Sequence, residues 1–107
     1  MSFYVKQNDT SPAMLATLQD ADGVAVSLVG ATVRFHMRKL GGTQTKVDAA
    51  ATVVNALAGT VRYSWIAADT NTVGSYQAEF EVTYADASVE TFPNDSYIPV
   101  EIIDDIA

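Results

Sequence analysis

A single antiparallel β-sandwich of about seven short strands, all-β throughout, is what this sequence predicts. Three observations carry the prediction. Apolar and polar residues alternate with period two along most of the chain. Turn-forming residues recur roughly every 8–12 positions, the spacing of a sandwich or barrel. The 107 residues are 49% apolar and 18% charged, which suits one domain over residues 1–107 with its own core and argues against disorder.

Two stretches alternate most cleanly. In residues 31–39, Val33, Phe35 and Met37 share one face and Arg34, His36 and Arg38 the other. In residues 75–84, Tyr76, Ala78, Phe80, Val82 and Tyr84 oppose Gln77, Glu79, Glu81 and Thr83. Both are strands. Phe3 to Lys6 reads as a short first strand. Ala13 to Gln19 reads as a second, with Leu15 inward and Ala13 as a further inward candidate. Lys46 to Asn55 is Ala-rich enough for a helix, but the β-branched Val47, Thr52, Val53 and Val54 and the lack of a preceding cap favour a strand. Thr60 to Ile66 sets Val61, Tyr63 and Trp65 against Arg62 and Ser64. Ser88 to Phe92 and Tyr97 to Ile103 complete the set.

The connections fit these strands. Asp20-Ala21-Asp22-Gly23 is a hairpin-type turn in which Gly23 can take a positive φ. Gly41-Gly42 and Ala58-Gly59 interrupt the chain beside strands. Asp69 to Gly74 is a longer connection with room for one helical turn, and Pro93-Asn94-Asp95 forms a turn or bulge. In an immunoglobulin-like sandwich the third and sixth strands are neighbours, which would pair residues 31–39 with 75–84. Arg34, His36 and Arg38 would then face Glu79 and Glu81 across the sheet, each pair worth roughly 0.2–1 kcal/mol.

Charge and composition exclude several functions. The first 62 residues hold six basic and four acidic side chains; the last 45 hold nine acids and no Lys or Arg. A net charge of −7 speaks against binding nucleic acid or an anionic membrane and favours solubility, or an acidic surface facing a basic partner. There are no cysteines and one histidine, so disulfides, thiolate sites and a histidine-based metal cluster or triad are not expected, and no cofactor or metal is. The longest apolar run is too short to span a bilayer. The opening residues form no apolar signal segment, so synthesis in a cytoplasm is expected.

Each candidate for chemistry has a plainer reading. Glu79 and Glu81 stand about 7 Å apart on one strand face, a spacing open to glycoside hydrolysis; two acids opposite basic residues are more simply a solvated ion-pair face. Asp20, Asp22 and Gly23 resemble part of a calcium loop, but its terminal bidentate Glu is missing. His36 lies between two arginines with no nucleophile beside it. Trp65 with Tyr63, and Tyr76 to Tyr84, could stack on a sugar; aromatics on one strand face more often form the core. Tyr76, two residues after Gly74, is placed to tie down the preceding corner through its hydroxyl. The apolar terminal segments, Ser2 to Lys6 and Tyr97 to Ile103, are candidate open edges that could accept a strand from another chain.

Four stretches carry a family resemblance. They are Phe3-Tyr4-Val5-Lys6-Gln7-Asn8-Asp9-Thr10-Ser11-Pro12, residues Gly30 to Arg38, residues Gly74 to Val82, and Val89-Glu90-Thr91-Phe92-Pro93-Asn94-Asp95-Ser96-Tyr97-Ile98. Together they resemble the immunoglobulin-like N-terminal domain of the tailed-bacteriophage baseplate upper protein family. The resemblance implies a non-enzymatic component of the virion, associated with the tail or baseplate and docking in many copies against other virion proteins. Because the sequence stops at Ala107, a free-standing copy that decorates the tail, neck or capsid is a further expectation. Termini and loop tips are the surfaces a sandwich offers, so Phe3, Tyr4, Asn94, Asp95, Asp104 and Asp105 are the expected partner contacts. Two rivals make different demands. A carbohydrate-binding surface module needs exposed Tyr4, Tyr63 or Tyr97 lining a groove, and a small glycosidase needs Glu79 and Glu81 in a cleft.

Overall fold

Period-two alternation becomes burial strand by strand. A computed structural model describes residues 2–106. Among them are eight strands: β1 (Phe3–Lys6), β2 (Met14–Thr17), β3 (Thr32–Lys39), β4 (Thr45–Asn55), β5 (Thr60–Tyr63), β6 (Gly74–Thr83), β7 (Val89–Phe92) and β8 (Ile98–Ile103), with a 3-10 turn at Ala67–Asp69. The strands follow one hydrogen-bonded path, β1-β8-β6-β3-β4-β5-β2, and β7 pairs with β6 beside it. The path curls almost into a barrel. β1 runs parallel to β8, whereas the other pairs are antiparallel.

The core is aromatic at its centre. β3 and β6 pair as expected, with Val33 opposite Val82, Phe35 opposite Phe80 and Met37 opposite Ala78, all six buried. Phe35 stacks on Tyr63 with ring centroids 4.3 Å apart, lies 5.2 Å from Phe80, and meets Trp65 edge-on at 5.5 Å. Phe3 of β1 adds a fifth ring, 5.6 Å from Trp65. Each large side chain buried here contributes roughly 1.5–3 kcal/mol through removal of apolar surface from water.

β4 is a strand, as its β-branched residues favour, and it changes partner along its length. Residues up to Ala51 pair with β3; from Thr52 onward they pair with β5. The ladder is irregular at Met37/Arg38 and again at Val53/Asn55, where an extra residue bends the strand. The turn into β5 requires Gly59. Its φ is +69°, and a Cβ there would lie 2.7 Å from the Val26 carbonyl oxygen, so any other residue is both strained and obstructed.

Five expectations are corrected. The strand count is eight rather than about seven. Leu15 points outward, and Met14 and Leu18 are buried in its place. Register explains this: Met14 opposes Tyr63 and Ala16 opposes Val61, both inward residues, while Leu15 opposes the exposed Arg62, and directly opposed residues share a face. The strand expected over Thr60 to Ile66 ends at Tyr63, although Trp65 still turns inward. Tyr97 to Ile103 is no open edge, because β8 lies between β6 and β1. The helical turn comes at Ala67–Asp69 and overlaps the expected Asp69 to Gly74 connection only at Asp69.

Candidate functional site

The outward faces of β3, β4 and β6 form a charged strip. Strand pairing sets Arg34 opposite Glu81, His36 opposite Glu79 and Arg38 opposite Gln77, as the alternation implies. The ionic contacts follow another route. Arg34 Nε donates to Asp48 Oδ1 at 2.9 Å and its Nη2 to the Asp48 carbonyl at 3.0 Å. Arg38 Nε donates to Gln77 Oε1 at 3.1 Å. The His36 ring lies between Asp48, 3.2 Å from Nε2, and Glu79, 3.4 Å from Nδ1. Among the described residues, then, His36 and Glu79 are the cross-strand pair of the expected ladder whose side chains meet. Arg34 turns instead to Asp48 on β4, whose carboxyl is held below the usual range chiefly by the hydrogen bond from Arg34.

Beside this strip is an open hollow of about 460 Å³, with His36, Arg38, Asp48, Glu79 and Tyr97 among its lining. Glu79 and Glu81 stand on a regular strand, and Glu79 is engaged by His36. That is an open strand face, with Glu81 in no ion pair among the described residues, rather than two acids held in a water-excluding cleft. Among the described residues no group of three His, Cys, Asp or Glu side chains is arranged to hold a metal ion, and no helix is long and apolar enough to cross a membrane. The Asp20 segment is a turn. Asp20 Oδ1 accepts the amides of Asp22 and Val24 at 2.9 and 3.0 Å, and Gly23 takes φ +79°.

The aromatic candidates divide. Tyr63 is buried, stacked on Phe35, and donates its hydroxyl to Asp69 Oδ2 at 2.6 Å; it cannot form part of a sugar platform. Trp65, Phe35, Phe80 and Tyr76 are core residues. The Tyr76 hydroxyl donates to the Thr72 carbonyl at 2.7 Å, closing the corner before β6. Tyr4 and Tyr97 are exposed, at 61% and 40%.

The expected contact residues fall on three separate segments. Tyr4 is exposed on β1, while its neighbour Phe3 is half-buried against Trp65. Asn94 and Asp95 are exposed in the connection from β7 to β8, where Asn94 Nδ2 donates to the Thr91 carbonyl at 2.9 Å and to Glu90 Oε2 at 3.2 Å. Asp104 and Asp105 are exposed beyond β8, and the Asp104 carbonyl accepts Lys6 Nζ at 3.3 Å. Sequence reasoning missed Asp48 and Asp69. Asp48 was detectable as the one acid in its strand, at every second position from Lys46 and Thr52 and out of phase with Val47. Asp69 had no such signal, since its partner Tyr63 is set by the way the connection folds back.

The side chains of the polar strip pair mainly with one another within the sheet. No curated protein matches the chain. Over residues 2–94 it matches the family model of the BppU N-terminal domain, and the chain therefore belongs to that family, that of the bacteriophage baseplate upper protein, as a baseplate-associated structural protein of the virion.

Proposed function

We infer that the curled sheet is an immunoglobulin-like sandwich and that it works without catalysis, docking in multiple copies against other proteins of the phage particle. The observation that carries this reading is the family match over residues 2–94. Three structural features support the fold: β3 lies beside β6, β4 changes partner midway, and Tyr76 closes a corner. One layer would hold β1, β8, β6, β7, β3 and the first part of β4; the other would hold the rest of β4, β5 and β2.

Docking would use exposed loops and edges, with Tyr4, Asp95, Asp104 and Asp105 as direct contacts. Phe3 and Asn94 would set the shape of the surfaces that carry them. Nine acids without a Lys or Arg after residue 62 favour a basic face on the partner and disfavour a phosphate backbone or an anionic membrane. The protein would be made in the host cytoplasm and act after assembly.

The test is to purify particles of the phage that encodes the chain, quantify the protein by mass spectrometry, and locate it by immunogold electron microscopy. Several copies per particle at the baseplate are expected. Labelling at the neck or capsid would move the docking site, and absence from washed particles would end the reading.

A further inference from the structure

The strand path leaves β2 at one end with an unpaired side. Leu18 donates its amide to the Gly59 carbonyl at 2.8 Å, and successive amides of a strand point to opposite sides. Ala16 therefore shares the β5 side, while Leu15 and Thr17 present their N–H and C=O groups outward. A cleft of about 480 Å³ lies between residues 16–21 and residues 92–98. Beside its far side, at the edge of β7, the Thr91 carbonyl already accepts Asn94 Nδ2 at 2.9 Å. Leu18, Phe92, Pro93 and Ile98 give the cleft apolar surface. Its charged lining residues are Asp20 and Asp95, with no Lys or Arg among them.

The geometry points to β2 as a strand-acceptor site: an extended segment of a neighbouring virion protein, with apolar residues between flanking Lys or Arg, pairs with Leu15 and Thr17 and fills this cleft. Backbone pairing supplies affinity, the apolar surface selects the inward side chains, and the two acids select the basic flanks. The proposal rests on the docking function above and names its site and the chemistry of its partner.

Hydrogen–deuterium exchange is compared over residues 14–19 in the free protein and in purified particles. Incorporation is compared for wild type, Thr17→Pro and Asp95→Lys. Proline removes one outward amide from an edge where it breaks no bond within the protein, so the melting temperature of free Thr17→Pro should match wild type. The expected result is slowed exchange over 14–19 in particles, with incorporation of both variants reduced about tenfold, the scale of one or two lost hydrogen bonds. Unchanged exchange over 14–19 in particles that contain the wild-type protein overturns the acceptor site, whatever the variants do, and leaves docking standing. Slowed exchange with undiminished incorporation of Thr17→Pro also overturns it. Wild-type protein absent from particles overturns docking itself and the acceptor site with it.

Discussion

Asp69 accepts a 2.6 Å hydrogen bond from the hydroxyl of Tyr63 and a 3.0 Å bond from the amide of Ile66. This joins the end of β5 to the turn that leads into β6. The carboxylate is buried, so it depends on these donors in place of water. Tyr63→Phe keeps the ring stack on Phe35 and removes one donor. The expected loss is about 1.5–3 kcal/mol, the range for hydrogen bonds to charged groups, read from the urea midpoint.

Alkaline pH should weaken the fold through the tyrosines. Burial raises the Tyr63 hydroxyl well above its ordinary value of 10.0, and the adjacent Asp69 adds to the effect. Burial, followed by the hydrogen bond and charge of Glu90, pushes Tyr84 up to about 12. The folded state holds these protons more tightly than the unfolded chain. Their contribution is complete below pH 10 and is lost as pH rises through the folded values. Urea midpoints between about pH 9 and 12 should fall less in Tyr84→Phe than in wild type, because phenylalanine has no proton to lose.

The corner before β6 depends on one hydroxyl. Tyr76→Phe removes the bond to the Thr72 carbonyl and keeps the buried ring. A loss of about 0.5–1.5 kcal/mol is expected. Hydrogen exchange should quicken first at residues 70–74, since the corner opens before the core does.

On the charged strip, Arg34 answers to Asp48 rather than to Glu81. Arg34→Ala should let the Asp48 carboxyl rise toward its ordinary value in an NMR pH titration. Glu81→Gln should leave that titration in place. The sign follows from the lowered value: this ion pair favours the folded state above the ordinary carboxylate range, and its contribution fades as pH falls through the folded value.

Ala87 holds φ +71° in the hairpin between β6 and β7, where Tyr84 and Ser88 are bonded across the turn. A residue with a Cβ is strained in the left-handed region and glycine is not. Ala87→Gly should raise stability by about 1 kcal/mol, offset in part by the freer unfolded chain, with the melting temperature as the readout.

Where a face was decided by one strand's own alternation, the sequence showed it. Val33, Phe35 and Met37 against Phe80 and Val82 needed only period two, and the corner hydroxyl of Tyr76 needed only its place after Gly74. What escaped was set by partners distant in the chain. Leu15 is the more apolar choice in its strand, yet the register against Val61 and Tyr63 turns Met14 inward. Arg34 had Glu81 opposite, as alternation implied, but two donors could reach Asp48 on the other neighbour. Tyr97 to Ile103 reads as an edge until β1 is seen beside it in parallel. Tyr63 shares the inward face of Val61 and Trp65, but the partner of its hydroxyl, Asp69, is set by a connection that folds back six residues later.

The parallel pairing of β1 with β8 also has a mechanical consequence. Phe3 aligns with Val100 and Lys6 with Ile103, so tension drawn through the start of β1 and the end of β8 pulls the two strands lengthwise past each other. The bonds between them are then loaded together in shear instead of being peeled one at a time. Strands wired in this way give up their bonds late and all at once instead of unzipping residue by residue.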